Sequence, residues 1–164
     1  PAAFHDTLHE GFLPCTENNF VRQGFRFLGD EYGWGGLDDS VDCSSFVGDV
    51  YRSMGIELPR DADQQAKSMP KVVELSGMGE ADRLAALEAC VPGTLLANNT
   101  HVMMYLGQDD DGTPIVLQSM SSWFSFGSDY GKHYLRKVIA STATFLNFSG
   151  VPYINGVHYL GSLR

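Results

Sequence analysis

Basic residues are few in this sequence. It has 11 Lys and Arg against 20 Asp and Glu, which leaves a formal net charge of −9. A field of this sign repels phosphate backbones, and no local cluster of Lys or Arg offsets it. We therefore expect no nucleic-acid partner, whereas a substrate that carries amino groups would be tolerated better.

Long apolar runs are absent as well, because none extends beyond a few residues. A transmembrane helix needs about 20 consecutive apolar residues, so we expect no membrane span. The chain opens at Pro1 without a Met, a basic stretch or an apolar signal core. We interpret it as a processed or truncated chain, whose export the sequence does not decide.

Cysteine is also scarce. The three cysteines are Cys15, Cys43 and Cys90, and no CxxC pair occurs. An odd number of isolated cysteines argues against a disulfide framework and against a zinc ribbon. His5 and His9 stand four residues apart, but two histidines without a third ligand are a weak metal signal. We expect no metal site and at least one cysteine that is unpaired within the chain.

The composition predicts a single folded unit. The 164 residues are 43% hydrophobic, and a chain of this length buries roughly 70% of the surface that its unfolded form exposes. No internal repeat or low-complexity tract divides it. We expect an N-terminal arm over residues 1–15 and one domain over residues 16–164.

Helices are predicted in the first half of the chain. Thr16 can cap a helix over residues 17–28, with Val21, Phe25 and Leu28 on one face. Two further helices are predicted over residues 59–65 and 80–89.

The clearest helix begins at Asp42 or Cys43 and ends before Gly55. Its apolar residues recur at helical spacing and form one continuous stripe, which predicts a buried helix with a polar start. The stripe consists of Cys43, Phe46, Val47, Val50, Tyr51 and Met54.

After Pro92-Gly93 the pattern changes to strands, over residues 94–97, 101–106, 114–120 and 132–139. Asp109 to Gly112 predicts the hairpin turn between the second and third of them. We interpret residues 121–131 as a Ser/aromatic loop that is either a cleft wall or ordinary surface. Helices followed by strands are typical of α+β proteins, with helices packed on one antiparallel sheet.

Cys43 stands at the first turn of the clearest helix. Unpaired backbone N–H groups and the positive end of the helix dipole favour a thiolate there and can stabilise an oxyanion. The alternative is that Cys43 is a buried apolar member of the stripe, as free cysteines often are.

The surroundings of Cys43 carry a resemblance to a known family. Residues 32–36 (YGWGG) and 41–47 (VDCSSFV) closely resemble the nucleophile segment of the NlpC-type cell-wall cysteine peptidases. Residues 58–61 (LPRD), with Gln64 or Gln65 beyond them, resemble the next segment of that family. Pro92-Gly93 and residues 101–107 (HVMMYLG) resemble the segment with the catalytic histidine. The resemblance implies a papain-like α+β fold, with the nucleophile helix packed on a mostly antiparallel sheet.

The same resemblance implies three catalytic residues: Cys43 as nucleophile, His101 as base and Gln118 as the residue that orients the imidazole. His133 is the competing orienter, and it would need the strand over residues 132–139 to border the site. On general behaviour alone, His133 and His158 are more typical of core or surface histidines.

Tyr32, Asp42 and Ser44 match positions that hold the peptide and its free amino end in recycling-type members of the family. Asp42 is suited to pairing with an ammonium, and it is equally suited to capping the Cys43 helix. Arg60 and Asp61 can instead form a structural ion pair, so we leave them outside the site.

By resemblance, the expected reaction is hydrolysis of the γ-D-glutamyl–diamino acid bond in peptidoglycan stem peptides or muropeptides, without a metal or an organic cofactor. The alternatives are a cell-wall amidase or acyltransferase with the same Cys-His site, and a non-catalytic wall-binding module. The family favours the cell envelope or secretion, and cytoplasmic recycling is the other location. Recycling-type members also carry SH3-like domains upstream, which the resemblance implies are missing from this chain.

Overall fold

A computed structural model describes residues 10–164, so His5 and His9 lie outside the described part of the chain. The helices are α1 (Glu17–Arg26), α2 (Cys43–Arg52), α3 (Ala62–Lys67) and α4 (Glu80–Glu88). The strands are β1 (Lys71–Glu74), β2 (Leu95–Ala97), β3 (Val102–Gln108), β4 (Pro114–Ser125), β5 (Gly131–Thr142) and β6 (Tyr159–Ser162). Two 3₁₀ helices cover Trp34–Asp39 and Tyr153–Gly156.

The six strands form one sheet in the order β1-β6-β2-β3-β4-β5, and every neighbouring pair is antiparallel. The predicted turn at Asp109 closes the β3–β4 hairpin, where the N–H of Gly112 donates to the Asp109 carbonyl over 3.0 Å. The expected α+β class with a mostly antiparallel sheet is therefore confirmed.

The central strands β2 and β3 are buried on both faces of the sheet, since successive strand residues point to opposite sides and most of theirs are buried. In β2, Leu95 belongs to the apolar cluster that contains Phe46 of α2, whereas Leu96 belongs to a second cluster that contains Leu87 of α4. Short strands that are buried on both faces read as continuous apolar runs, as β2 and β3 do. The site lies at one end of this sheet, where α2 begins.

Helix α1 begins after Thr16, whose side chain accepts from the N–H of Asn19 over 3.3 Å, as predicted. The face expected for its core contacts is wrong, since Phe25 and Leu28 are exposed. The buried residues are Phe20 and Gly24. A Cβ at Gly24 would lie 2.6 Å from the Met104 Cε atom, so the missing side chain allows α1 to pack closely on the sheet.

Two strands lay outside the sequence prediction. β1 is an exposed edge without a clear apolar alternation, and β6 contains Gly161, a residue that usually weakens a strand. In the structure Gly161 faces α3, where an added Cβ would come within 2.3 Å of the Ala66 carbonyl oxygen. The close approach of a helix explains a glycine at this strand position.

The chain before α2 is attached to the sheet by backbone pairing. The N–H of Tyr32 donates to the carbonyl of Arg136 in β5 over 2.9 Å. The Ser119 hydroxyl of β4 donates to the Val41 carbonyl over 2.7 Å, immediately before the helix. These contacts fix the start of α2 beside β4. Within residues 10–164, no helix combines the length and apolar character that crossing a membrane requires.

Candidate active site

The start of α2 is a fully formed capping box around Asp42. The Asp42 carboxylate accepts from the N–H of Ser45 over 2.8 Å, and the Ser45 hydroxyl accepts from the N–H of Asp42 over 2.8 Å. This reciprocal pair satisfies two backbone donors at the helix start. Cys43 is therefore held as the first helical residue, with its side chain 8% exposed.

The environment of Cys43 changes the expectation of a low-pKa thiol. Burial raises the pKa of the Cys43 thiol above its ordinary value, and the nearby Asp42 carboxylate raises it further. The backbone N–H groups of Val102, Ser44 and Cys43 itself act in the opposite direction but do not outweigh burial. The helix-start argument alone was wrong about the direction, because it left out desolvation.

His101 and Gln118 are in direct contact. Nε2 of His101 lies 2.7 Å from Oε1 of Gln118, and the amide nitrogen of Gln118 donates to Oγ of Ser141 over 2.7 Å. An amide oxygen can only accept, so Nε2 carries the proton. The neutral imidazole therefore presents an unprotonated Nδ1, which is the form that a general base requires.

Burial also lowers the pKa of His101, and the hydrogen bond that the ring donates to Gln118 only partly opposes this shift. The ring of Tyr153 packs edge-on against the imidazole, with 5.7 Å between ring centroids. Burial raises the pKa of the Cys43 thiol and lowers that of the imidazole, so both shifts favour the uncharged forms of the two groups in the free protein.

His133, the competing orienter, lies in different surroundings. Nε2 of His133 is 2.8 Å from the Ser125 hydroxyl, and its ring stacks on Trp123 with 5.0 Å between centroids. The strand β5 does border β4, but the residue opposite Gln118 is Ile139. His133 thus contacts the far end of the β4–β5 hairpin instead of His101.

Asp42 has a second set of partners, which bond to its Oδ2 atom. Its Oδ2 atom accepts from the Gly35 N–H over 3.0 Å and from Nη2 of Arg60 over 2.5 Å. Burial would raise the pKa of Asp42, but the N–H groups of Ser45 and Gly35 and the Arg60 guanidinium outweigh it, so the pKa is lowered. Arg60 also donates to the Ser44 hydroxyl. It is therefore paired with Asp42, and the ion pair expected with Asp61 is wrong.

Gln65 rather than Gln64 connects this region to α3. Its side-chain amide donates to the Ser44 carbonyl over 2.8 Å and to the Pro59 carbonyl over 3.0 Å. Gln65 is 1% exposed, so the two segments are held together inside the protein.

Two depressions meet at Cys43. A polar depression of about 670 Å³ is lined by Asp42, Ser44 and Arg60, and an aromatic cavity of about 270 Å³ is lined by His101. Four residues border both: Tyr32, Trp34, Cys43 and Thr100. The polar depression thus brings together Tyr32, Asp42 and Ser44, which the sequence singled out, with Arg60, which we had left outside the site.

The aromatic cavity contains residues that sequence reasoning missed. Trp123 and Phe124 belong to the segment interpreted as a Ser/aromatic loop, and its cleft-wall alternative is the one confirmed. In the structure residues 121–125 belong to β4 and Gly131 begins β5, so only residues 126–130 form the connecting loop. Phe145, Phe148 and Tyr153 come from the chain after β5, where no sequence signal connected them to Cys43.

Within residues 10–164, no group of three or more His, Cys, Asp or Glu side chains is arranged to hold a metal ion. All three cysteines are free: Cys15 is exposed, Cys90 is half-buried and Cys43 is buried.

Comparison with protein families gives one match over most of the chain. The model described as the NlpC/P60 family matches residues 29–138. Two curated relatives share the name gamma-D-glutamyl-L-lysine dipeptidyl-peptidase. The one from Bacillus subtilis (strain 168) is 39% identical over 70 residues, which are 42% of this chain and 23% of that protein. The one from Bacillus cereus is 30% identical over 91 residues, 55% of this chain and 26% of that protein. The chain thus spans about a quarter of either relative.

Solved structures support the fold. An NlpC/P60 endopeptidase from Photobacterium damselae superposes with a TM-score of 0.63 at 22% identity, over 77% of this chain and 32% of that chain. An NlpC/P60 family protein from Bacillus cereus gives a TM-score of 0.58 at 22% identity, over 93% of this chain and 41% of that chain. A peptidoglycan hydrolase from Mycobacterium tuberculosis gives 0.54 at 18% identity, over 90% and 64% of the two chains.

Proposed function

The chain belongs to the NlpC/P60 family, and from this membership we propose that it is a cysteine peptidase that hydrolyses the γ-D-glutamyl–diamino acid bond of peptidoglycan stem peptides. The observation that carries the proposal is the Nε2–Oε1 contact of 2.7 Å between His101 and Gln118, in a cavity that Cys43 shares. The relatives named gamma-D-glutamyl-L-lysine dipeptidyl-peptidase support the choice of bond.

The proposed reaction begins with an uncharged Cys43 thiol and an uncharged His101 imidazole. Nδ1 of His101 takes the proton of the Cys43 thiol while the sulfur attacks the γ-carbonyl carbon. N–H groups at the start of α2 stabilise the negative charge on the carbonyl oxygen. His101 then delivers its proton to the leaving amine, the C–N bond breaks and a thioester remains. Water, deprotonated by His101, hydrolyses this acyl-enzyme and restores the thiol.

We assign the acyl half of the substrate to the polar depression. An L-Ala-γ-D-Glu unit carries a free ammonium and a free α-carboxylate, and the depression offers the Asp42 carboxylate and the Arg60 guanidinium. Each charge of the dipeptide thus has an opposite partner. Because Arg60 is already bonded to Asp42, the ammonium would share or replace that contact.

Two alternative functions make different demands on this site. A wall-binding module without activity would have no need for the His101–Gln118–Ser141 hydrogen bonds, which fix one tautomer. An amidase or acyltransferase would share the thioester and differ only in the amine that leaves or the group that attacks it.

Digestion of L-Ala-γ-D-Glu-L-Lys, with mass spectrometry of the products, tests the proposal. We expect L-Ala-D-Glu and lysine from the wild-type protein and no products from Cys43→Ala. N-acetylation of the peptide removes the ammonium, and charge-assisted contacts are worth about 1.5–3 kcal/mol, so kcat/KM should fall roughly 10- to 150-fold.

Two results would count against the proposal in different ways. Release of alanine, or activity that persists in Cys43→Ala, would contradict the assigned bond or the assigned nucleophile. Equal cleavage of the free and the acetylated peptide would be consistent with peptidase activity but would contradict the contact between Asp42 and the substrate ammonium. Asp42 would then be a helix cap alone.

A further inference from the structure

The aromatic cavity beside Cys43 has a composition that hydrolysis does not explain. Among the described residues that line it, none is Asp, Glu, Lys or Arg. Most of the apolar lining is aromatic. Five rings line this cavity and not the polar depression, namely Trp123, Phe124, Phe145, Phe148 and Tyr153, whereas Tyr32 and Trp34 border both. Water alone, as the nucleophile of the second step, needs no such surface.

The position of His101 indicates which half of the substrate binds in the aromatic cavity. It lines the aromatic cavity but not the polar depression. The leaving nitrogen must lie within hydrogen-bonding reach of the imidazole, since it takes its proton from there. The aromatic cavity is therefore the amine side of the site, and the polar depression is the acyl side.

The rings of the cavity are both accessible and supported. Trp123 is 41% exposed and Phe148 is 58% exposed, so part of each ring is open to a ligand. Trp123 stacks on His133 at 5.0 Å, and Phe124 packs edge-on against Phe148 at 5.9 Å. Side chains held by neighbours lose little freedom when a ligand binds, which favours affinity for a second ring.

We propose that this cavity binds aromatic amines as acyl acceptors, which gives the protein a second activity: transfer of the γ-glutamyl acyl group to such an amine. The inference rests on the proposed function for its acyl-enzyme. Once the first amine has left, the same cavity is vacant while the thioester persists. An amine that is held there competes with water for the thioester carbonyl carbon.

The transfer step balances without any further reactant. The neutral amine nitrogen attacks the thioester carbonyl, and Nδ1 of His101 accepts one proton from that nitrogen. The C–S bond breaks, the proton passes to the Cys43 sulfur, and an amide of the aromatic amine is released. No group is oxidised or reduced, because the step exchanges a thioester for an amide.

Binding can be measured without turnover. The chain has two tryptophans: Trp123 lines this cavity alone, and Trp34 lines both depressions, so a change in tryptophan emission that Trp123→Ala abolishes reports on the aromatic cavity. We expect L-phenylalaninamide to change the emission of the Cys43→Ala protein saturably, whereas glycinamide, with the same α-amine and no ring, should not. Identical responses to both amines would overturn the proposal.

Transfer is measured in the wild-type protein as the ratio of amide to hydrolysis product from L-Ala-γ-D-Glu-L-Lys, with either amine at equal concentration. Burial of a Phe side chain should raise the ratio for phenylalaninamide at least about 10-fold over that for glycinamide. Trp123→Ala should reduce this preference. Tyr134→Ala, which removes a 68% exposed ring outside the cavity lining, should leave the preference intact.

The outcomes separate the two proposals. Hydrolysis with equal transfer ratios for both amines contradicts the acceptor site, whereas the proposed peptidase activity stands. No consumption of the peptide contradicts the peptidase and, with it, the transfer step. A preference for phenylalaninamide that Trp123→Ala and Tyr134→Ala reduce equally would also contradict the assignment to this cavity.

Discussion

Burial sets the protonation of Cys43 and His101 before substrate binds. It raises the pKa of the thiol and lowers the pKa of the imidazole, and both shifts favour the uncharged pair. A thiolate at a helix start would have the dipole in its favour, but desolvation is the larger effect for a side chain that is 8% exposed. The proton therefore moves as the sulfur attacks.

The pH profile of kcat/KM should reflect this arrangement. The base form of His101 is required, and burial lowers its pKa, so activity should persist on the acid side to below pH 6.5. Gln118→Glu places a carboxylate on Nε2, and an opposite charge raises a histidine pKa by about 1–3 units. We expect the acid limb of the variant to move upward by a similar amount, as measured on one peptide across a pH series.

Gln118→Met is the matched control for that shift. It keeps the volume of the side chain and removes its hydrogen bonds without adding charge. One neutral hydrogen bond is worth about 0.5–1.5 kcal/mol, so kcat/KM should fall roughly 2- to 12-fold while the acid limb stays near its wild-type position. An acid limb that is unmoved in Gln118→Glu would mean that Gln118 does not act on His101.

At the level of single residues, the sequence identified candidate residues but did not show which other residues they contact. A helix start, a polar turn before a strand and the register of the next strand made Cys43, His101 and Gln118 candidates, but it was the resemblance to the NlpC-type peptidases that singled them out. The partner of Arg60 is 18 positions earlier in the chain, so a sequence reading chose the adjacent Asp61 instead. The direction of the Cys43 pKa depends on burial by distant segments, which no local pattern contains.

Among the elements, the packing of α3 on β6 depends on Gly161. A side chain there would meet the Ala66 backbone, which cannot move as a flexible side chain can. Overpacking costs about 1–3 kcal/mol, and each kcal/mol lowers Tm by about 2–4 °C in a protein of this size. Gly161→Ala should therefore lower Tm by roughly 2–12 °C in a thermal melt.

Gly156→Ala is the control, because an added Cβ there meets nothing within 4 Å. At a position with a compatible backbone, replacing Gly with Ala stabilises by about 0.4–1 kcal/mol, so Tm should stay the same or rise slightly. Equal Tm values for the two variants would show that the close approach of α3 does not limit stability.

The elements that the sequence predicted well have apolar residues that recur at a regular spacing. The stripe of α2 is buried from Cys43 to Met54, and the helix begins where its cap residue predicts. The face of α1 was misjudged because a glycine, which carries no apolar side chain, forms its closest contact with the sheet. The strand predicted over residues 132–139 lies within β5, whereas the outer part of β4, residues 121–125, was interpreted as a loop because its Ser and aromatic residues are only partly buried.

In the molecule as a whole, the cleft divides into two halves with different chemistry. The polar depression contains paired charges, whereas the aromatic cavity contains none among its described lining residues. Cys43 lies at their junction, between α2 and the sheet. The order of helices before strands was enough to predict the fold class, but the aromatic half is assembled from β4 and from the chain after β5, a contact that only the tertiary fold creates.

The central claim is that Cys43 forms a thioester with the γ-glutamyl group, and intact-protein mass spectrometry tests it most directly. A γ-thioester of L-Ala-D-Glu acylates readily, so the acyl-enzyme should accumulate before acid quenching. We predict a single adduct with the mass of the dipeptidyl group, located on Cys43 by peptide mapping and absent from Cys43→Ala. An adduct on Cys15 or Cys90, or turnover of the thioester by Cys43→Ala at the wild-type rate without any adduct, would contradict the account.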